Sequence, residues 1–428
     1  MIKKKAFNAL ALLWLGTLIG AGLAFLTQII LARKLGSEYF GMFSAVLAMV
    51  TLMTPLAGFG ISQLWLKVFG QEGWNAQRWL NPSFHFVILS TLLVFISLYI
   101  WAFLGNHDQL TRSLFLIMSF YILGQISVEL VSSKLQLEER YPHLAVWQLL
   151  PHFMRFIFIV ILLFGFTKWT SIEEIAYAYA LIAIIFLLVG IVQLLSMKKG
   201  NFKLKGHKEE DLKKKYQVSL SLVFKNTWPF GLAAFFHLIY FQSDIILIKY
   251  IVGDNQAGIY NVAFTIMVAV YMFPGVLYQK FLLPKLHRWA NHDRDKFYEV
   301  YRKGNMAMLV LGLIAMLLVW ALSSWAIPFI FGTEYQNSIL ILNILALSAP
   351  IIFVAFSAGA ALVTQEHMKL KVKFMGTVAL INLVLNFIVI PIYGAVGAAV
   401  ATVVSNFILL MLYYYGAEKY VFYKRLSK

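Results

Sequence analysis

The stretch Ile30 to Ser44, ILARKLGSEYFGMFS, closes a run of more than twenty almost uncharged residues with an Arg33-Lys34 pair. A similar phrase returns 217 positions later, where Leu247 to Asn261 reads LIKYIVGDNQAGIYN after another long apolar run. At that offset Gly36 meets Gly253, Gly41 meets Gly258 and Phe43 meets Tyr260; after a two-residue insertion Pro55 meets Pro274. A Gly-x4-Gly phrase followed by an aligned apolar segment with an aligned proline is more specific than one glycine pair. It predicts a chain with two related halves.

Composition names the solvent. The chain is 61% hydrophobic and 13% charged, with a mean hydropathy of +0.77, whereas soluble domains are about half apolar and about a quarter charged. This is the composition of a bilayer protein. The net charge of +17 falls in short segments between apolar runs, as membrane proteins carry it, so it does not point to nucleic acid. The absence of cysteine excludes a disulfide framework, thiolate metal sites and a thiol nucleophile. The N-terminal MIKKK resembles the start of a signal peptide, but the apolar run from Phe7 to Ala32 far exceeds an h-region of about 7 to 15 residues. It reads as a retained first span.

A helix needs about 20 apolar residues to cross the hydrocarbon layer. Twelve such segments are expected, near 7–32, 41–66, 83–104, 112–135, 143–166, 173–197, 224–251, 258–279, 304–327, 337–363, 371–393 and 394–415. With the N-terminus placed inside, the inner segments hold thirty Lys and Arg and the outer loops five, with Arg155 inside a span. That bias predicts an N-in, C-in topology. The expected organisation is an N-terminal six-helix bundle over 1–197, a basic cytoplasmic linker over 198–223 and a C-terminal six-helix bundle over 224–428. Six spans separate the copies, so the repeat is parallel, as in transporters built from two bundles related by an axis along the membrane normal.

Charged side chains inside spans are the functional candidates, because each costs at least about 2.5 to 3.5 kcal/mol at mid-bilayer on insertion scales. In the fifth span Gln148, His152 and Arg155 share one helix face beside Pro151. In the fourth, Gln125, Glu129, Ser132 and Gln136 form a comparable stripe. Two readings stand for Glu129 and Arg155: an ion pair that joins two helices, or a cationic lining group tuned by an acidic neighbour. In the seventh span His237, Tyr240 and Asp244 share a face and Lys249 follows. Asp244 either accepts a proton or sodium ion or pairs with Lys249. Asn382 and Asn386, at i and i+4, either bond between helices or line a cavity. Gly16 and Gly20 form a GxxxG packing face. His85 reads as a hydrogen-bonded core histidine. Pro55, Pro151, Pro274 and Pro350 are expected to kink spans. No Walker A, GxSxG or HExxH motif occurs in the sequence, and short outer loops leave no room for an extracytoplasmic catalytic domain, which argues against an integral-membrane glycosyltransferase or polymerase.

LARKLGSEYFGMFS, SDIILIKYIVGDNQAGIYNVAF with its later FLLPKL, FIFGTEYQNS and NLVLNFIVIPIYGAVGAAVATVVSN together resemble the O-antigen and polysaccharide-repeat flippases, of the superfamily that also holds MATE multidrug exporters and lipid II flippases. The resemblance runs in order along nearly the whole chain. It implies an all-α polytopic membrane protein of twelve helices in two bundles that moves a polyprenyl-pyrophosphate-linked oligosaccharide to the outer leaflet by alternating access. The setting implied is a bacterial or archaeal plasma membrane, with lipids and the lipid-linked oligosaccharide as partners. A monomer in contact with polysaccharide polymerase machinery, and no cofactor beyond a coupling H+ or Na+, are also implied. Lipid II flippases typically carry two further spans than are found here. A pyrophosphate needs positive charge along its path, so Arg155, His152, Gln148, Arg33, Lys249 and His237 are the candidate substrate contacts, with Asp244 and Glu129 the ion-coupling candidates. An acidic residue at Asp244, before the Gly-x4-Gly phrase, resembles the family pattern. A MATE-type exporter of organic cations is the rival reading; it would need a net acidic lining.

Overall fold

A bilayer core offers no water to bond an exposed peptide group, so a chain this apolar must satisfy its backbone within each segment. The computed structural model describes residues 2–165, 171–205, 218–282, 286, 289–290, 293–364 and 367–423. All of its regular elements are helical: α1 (Ile2–Gly58), α2 (Ile61–Glu72), α3 (Leu80–Leu104), α4 (Gln109–Met118), α5 (Phe120–Leu137), α6 (Tyr141–Val160), α7 (Ile172–Lys198), α8 (Leu220–Val252), α9 (Asp254–Val276), α10 (Arg294–Ile330), α11 (Ser338–Ala346), α12 (Ser348–Thr364) and α13 (Met368–Gly416), with short 3-10 and π turns between or after some of them.

Among the described residues nine stretches are long and apolar enough to cross a membrane, against the twelve segments expected. The difference lies in helices that run on through breaks. The first stretch, Ala11–Leu104, has 94 residues, far more than the about 20 that span a bilayer. It is interrupted at Gly36 (φ 73°, ψ 172°), at Phe59 and Gly60 (φ 41° and 77°) and by the turn Gly73–Trp79. The last, Met368–Phe422, is broken at Gly394 (φ 59°, ψ −142°). Gly36 and Gly253 (φ 103°, ψ 171°) adopt the same extended, positive-φ conformation, one essentially reserved for glycine.

The chain forms two compact units, Met1–Thr27 with Val46–Phe235, and Gln28–Ala45 with Phe236–Lys428. The halves expected at 1–197 and 224–428 differ from these in two segments: Gln28–Ala45, which contains the opening phrase, belongs with the second unit, and residues 224–235 belong with the first. The glycines explain the placement of Gln28–Ala45. A Cβ on Gly41 would stand 1.8 Å from the Asp254 carbonyl oxygen, and one on Gly258 2.0 Å from that of Ser37. Only glycine permits this approach, so the two Gly-x4-Gly phrases interlock. The heart of the expected basic linker, 206–217, and Pro284 and Lys285 of FLLPKL lie outside the described residues.

Small residues also set the first unit's packing. Gly124 of α5 lies so close to α7 that a Cβ would be 2.6 Å from Ala183 Cα, and one on Gly190 would be 1.8 Å from Ser127 Oγ. The Ser127 hydroxyl donates to the Phe186 carbonyl at 2.8 Å. Trp147 of α6 packs on Phe186 with ring centres 5.0 Å apart and donates to the Val128 carbonyl at 3.2 Å. Gly16 and Gly20 face α6, where added Cβ atoms would lie 3.4 Å from the Ala145 oxygen and 3.3 Å from His152 Cδ2. Pro55, Pro151 and Pro274 lie inside α1, α6 and α9. Pro350 lies within the stretch Ser338–Val363, in the first turn of α12, three residues after the break at Leu347 that separates it from α11.

Candidate functional site

Close packing of α5 on α7 brings Tyr121 and Tyr179 together, with ring centres 6.3 Å apart. Arg155 of α6 lies over both: its guanidinium carbon is 4.7 Å from the Tyr121 ring centre and 5.3 Å from that of Tyr179. Its Nη1 donates weakly to the Tyr121 hydroxyl at 3.4 Å, and its Nε is buried with no hydrogen-bond partner. Cation–π contact holds the cation in place, yet leaves its capacity for an anion largely unspent. Of the two readings for Glu129 and Arg155, the ion pair is absent. Glu129 is exposed, with no cation at ion-pair distance among the described residues, and its carboxylate faces Gly58, where a Cβ would lie 3.7 Å from Oε2. His152 packs on Gly20, and Gln148, exposed, donates to Ser132 Oγ at 3.5 Å. The structure thus brings the α5 and α6 stripes together without neutralising their charges.

The second unit treats its carboxylate differently. Asp244 of α8 is 2% exposed. Its Oδ1 accepts from Asn386 Nδ2 at 2.6 Å, and its Oδ2 from Tyr260 at 2.6 Å and Thr402 at 2.5 Å. Asn382 accepts from Ser243 and from Asn386, each at 3.1 Å, and donates to Ser405 at 3.3 Å. Asn382 and Asn386 therefore bond between helices. Asp244 does not pair with Lys249, which binds Asp254 at 2.5 Å instead, a switch the Gly253 turn makes possible.

The interlocked phrases carry their own bonds. Ser37 donates its N–H and hydroxyl to Glu334 Oε1, at 2.6 and 2.5 Å, so a carboxylate caps the helix where it resumes after Gly36. Asn255 donates to Ser37 Oγ at 2.6 Å and Tyr335 to the Ala32 carbonyl at 2.9 Å. Arg33, though exposed, donates to the Phe329 carbonyl. Arg33 and Lys249 are hence engaged with their own chain. His237 is exposed on α8, 4.7 Å from the Phe241 ring. His85 is exposed rather than core, because its face of α3 is not covered. No cluster of three or more His, Cys, Asp or Glu occurs among the described residues.

Sequence reasoning missed Tyr121 and Tyr179, whose only signal is an in-span arginine that needs partners, and it missed the capping role of Glu334, visible only as the FIFGTEYQNS motif. It also passed over Lys371, counted among inner-loop lysines but in fact set against the buried ring of Tyr413.

The model of the family described as polysaccharide biosynthesis protein matches residues 8–290. The "Probable low-salt glycan biosynthesis flippase Agl15" of Haloferax volcanii is 23% identical over 403 residues, covering 92% of this chain and 79% of that one. Among solved structures, lipid II flippase MurJ in an inward closed conformation superposes with a TM-score of 0.75 at 16% identity, over 95% of this chain and 87% of that chain. An inward-facing MATE-family multidrug resistance transporter gives 0.69 at 13% identity, over 95% and 96%. At such identities the structures establish the fold.

Proposed function

We propose, from the premise that this chain belongs to the polysaccharide biosynthesis protein family, that it flips a polyprenyl-pyrophosphate-linked oligosaccharide from the cytoplasmic to the outer leaflet by alternating access, without covalent chemistry of its own. The observation that carries the reading is Arg155: a guanidinium in a membrane helix, held by two aromatic faces and given no counter-charge. A cation so placed costs free energy that only an anionic cargo repays. His152 and Gln148 extend the same face toward a phosphate and its sugar. Arg33 and Lys249 would meet the cargo only by exchanging Phe329 and Asp254.

The topology proposed is twelve crossings with both termini inside. Dividing the 94-residue stretch at Gly36 and at the Gly60–Trp79 region, and the last stretch at Gly394, supports that count. In this orientation the membrane potential itself favours export, by about 2.3 kcal/mol per charge per 100 mV. A coupling ion fits Asp244. The buried Oδ1 of Asn386, whose amide nitrogen bonds Asp244, lacks a partner, and oxygen donors suit a hard cation such as Na+, while the carboxylate alone suits H+. One observation favours a second reading, a MATE-type ion-coupled exporter: the exposed, unpaired Glu129, which would suit a cationic cargo.

Leaflet transfer by purified variants at matched reconstitution separates the two. Arg155→Ala and Arg155→Lys should both impair transfer of the lipid-linked oligosaccharide, since lysine lacks the planar fork; wild-type transfer by Arg155→Ala would remove Arg155 from the mechanism.

A further inference from the structure

Lys369, Lys371 and Lys373 follow one another at the start of α13; the outer two are exposed, and Lys371 is partly buried. Its ammonium lies 5.6 Å from the centre of the Tyr413 ring. Gly359 of α12 makes the room: a Cβ there would be 2.9 Å from Tyr413 Cε2 and 3.6 Å from Lys371 Cε. No described carboxylate forms an ion pair with Lys371. An aromatic face returns only part of what an ammonium loses on leaving water.

Two groups of α8 belong to the same unit as this lysine. His237, exposed, is within electrostatic reach of Lys371. Tyr240, one turn on, packs against the cluster that contains Tyr413, with its hydroxyl buried and without a hydrogen-bond partner. An ammonium without counter-charge, an unused hydroxyl and an accessible imidazole from two helices of one unit complement an anion. Lys371 stands in the first turn of α13, hence at one membrane face, and in the topology proposed above that face is the cytoplasmic one, where cargo loads.

We infer that Lys371, Tyr240 and His237 form a second anion-binding site, in the second unit, for the phosphate of a lipid. The inference rests on the flippase reading for its place in the cycle. The same phosphate chemistry is offered by the cargo pyrophosphate and by the headgroup of an anionic phospholipid.

Two arms distinguish these sources in the full-length protein. Farnesyl pyrophosphate is titrated calorimetrically into protein held in phosphatidylcholine nanodiscs, and native mass spectrometry counts phosphatidylglycerol retained from mixed vesicles. Lys371→Gln should weaken farnesyl pyrophosphate about tenfold, as expected when one charge-assisted hydrogen bond is lost, if the site takes cargo; it should strip phosphatidylglycerol if the site takes phospholipid. Lys371→Arg should preserve whichever is seen. Tyr240→Phe, which removes one hydroxyl, should weaken the same ligand by a smaller factor and serves if Lys371→Gln folds poorly. Unchanged binding in both arms overturns the site. Absence of leaflet transfer by the wild-type protein would instead overturn the flippase reading, leaving a measured effect of Lys371→Gln on binding intact.

Discussion

Glu129 in the first unit and Asp244 in the second are carboxylates carried by membrane helices, and their surroundings are opposite. Glu129 is exposed and unpaired, while the unit's in-span arginine, Arg155, is set against two tyrosines. Asp244 is buried and takes three hydrogen bonds from α9 and α13. The first arrangement leaves charge available to something that comes and goes. The second satisfies its charge internally and holds helices together. Charge alone does not distinguish the two; unspent bonding capacity does.

Substitutions can break this contrast. The largest effect is expected at Asp244→Ala, which strands Asn386, Tyr260 and Thr402. Thermal unfolding in detergent should show a loss of about 2 to 4 kcal/mol, several membrane hydrogen bonds at once; unchanged stability would mean the cluster holds nothing together. Arg155→Ala should cut leaflet transfer at least about tenfold, one charge-assisted contact to the cargo, with little change in melting. If it unfolds the protein, the two tyrosines are a structural cage. Smaller again in its effect on transfer, Arg33→Gln with Lys249→Gln should reduce transfer less than Arg155→Ala, and because the Lys249–Asp254 pair is largely buried it should also cost about 1 to 3 kcal/mol of stability; a loss of transfer equal to that of Arg155→Ala would return both to the cargo path. Glu129→Gln should leave stability within about 0.5 kcal/mol, as for a side chain without partners, and a large destabilisation would reveal a partner the contrast denies.

The apolar runs, the α5 and α6 stripes and the two Gly-x4-Gly phrases were legible because each obeys a short-range rule: length, helical period or a conformation only glycine adopts. What joined to what was not. Arg155 meets Tyr121 and Tyr179 because Gly124 and Gly190 draw α5 onto α7, a consequence of packing across residues far apart in sequence. Arg33 and Lys249 belong to one joint because Gly41 and Gly258 allow backbones to touch, which their spacing in the sequence does not reveal. Lys371 could not be told from its neighbours Lys369 and Lys373, since only the ring of Tyr413, forty-two positions on, distinguishes it.

The most direct test is reconstitution of the purified chain in proteoliposomes loaded with a labelled polyprenyl-pyrophosphate oligosaccharide, with a membrane-impermeant glycan probe reporting the leaflet. The expected result is leaflet transfer that empty vesicles lack and that Arg155→Ala loses. No transfer by the wild-type protein, together with export of a cationic dye, would contradict it.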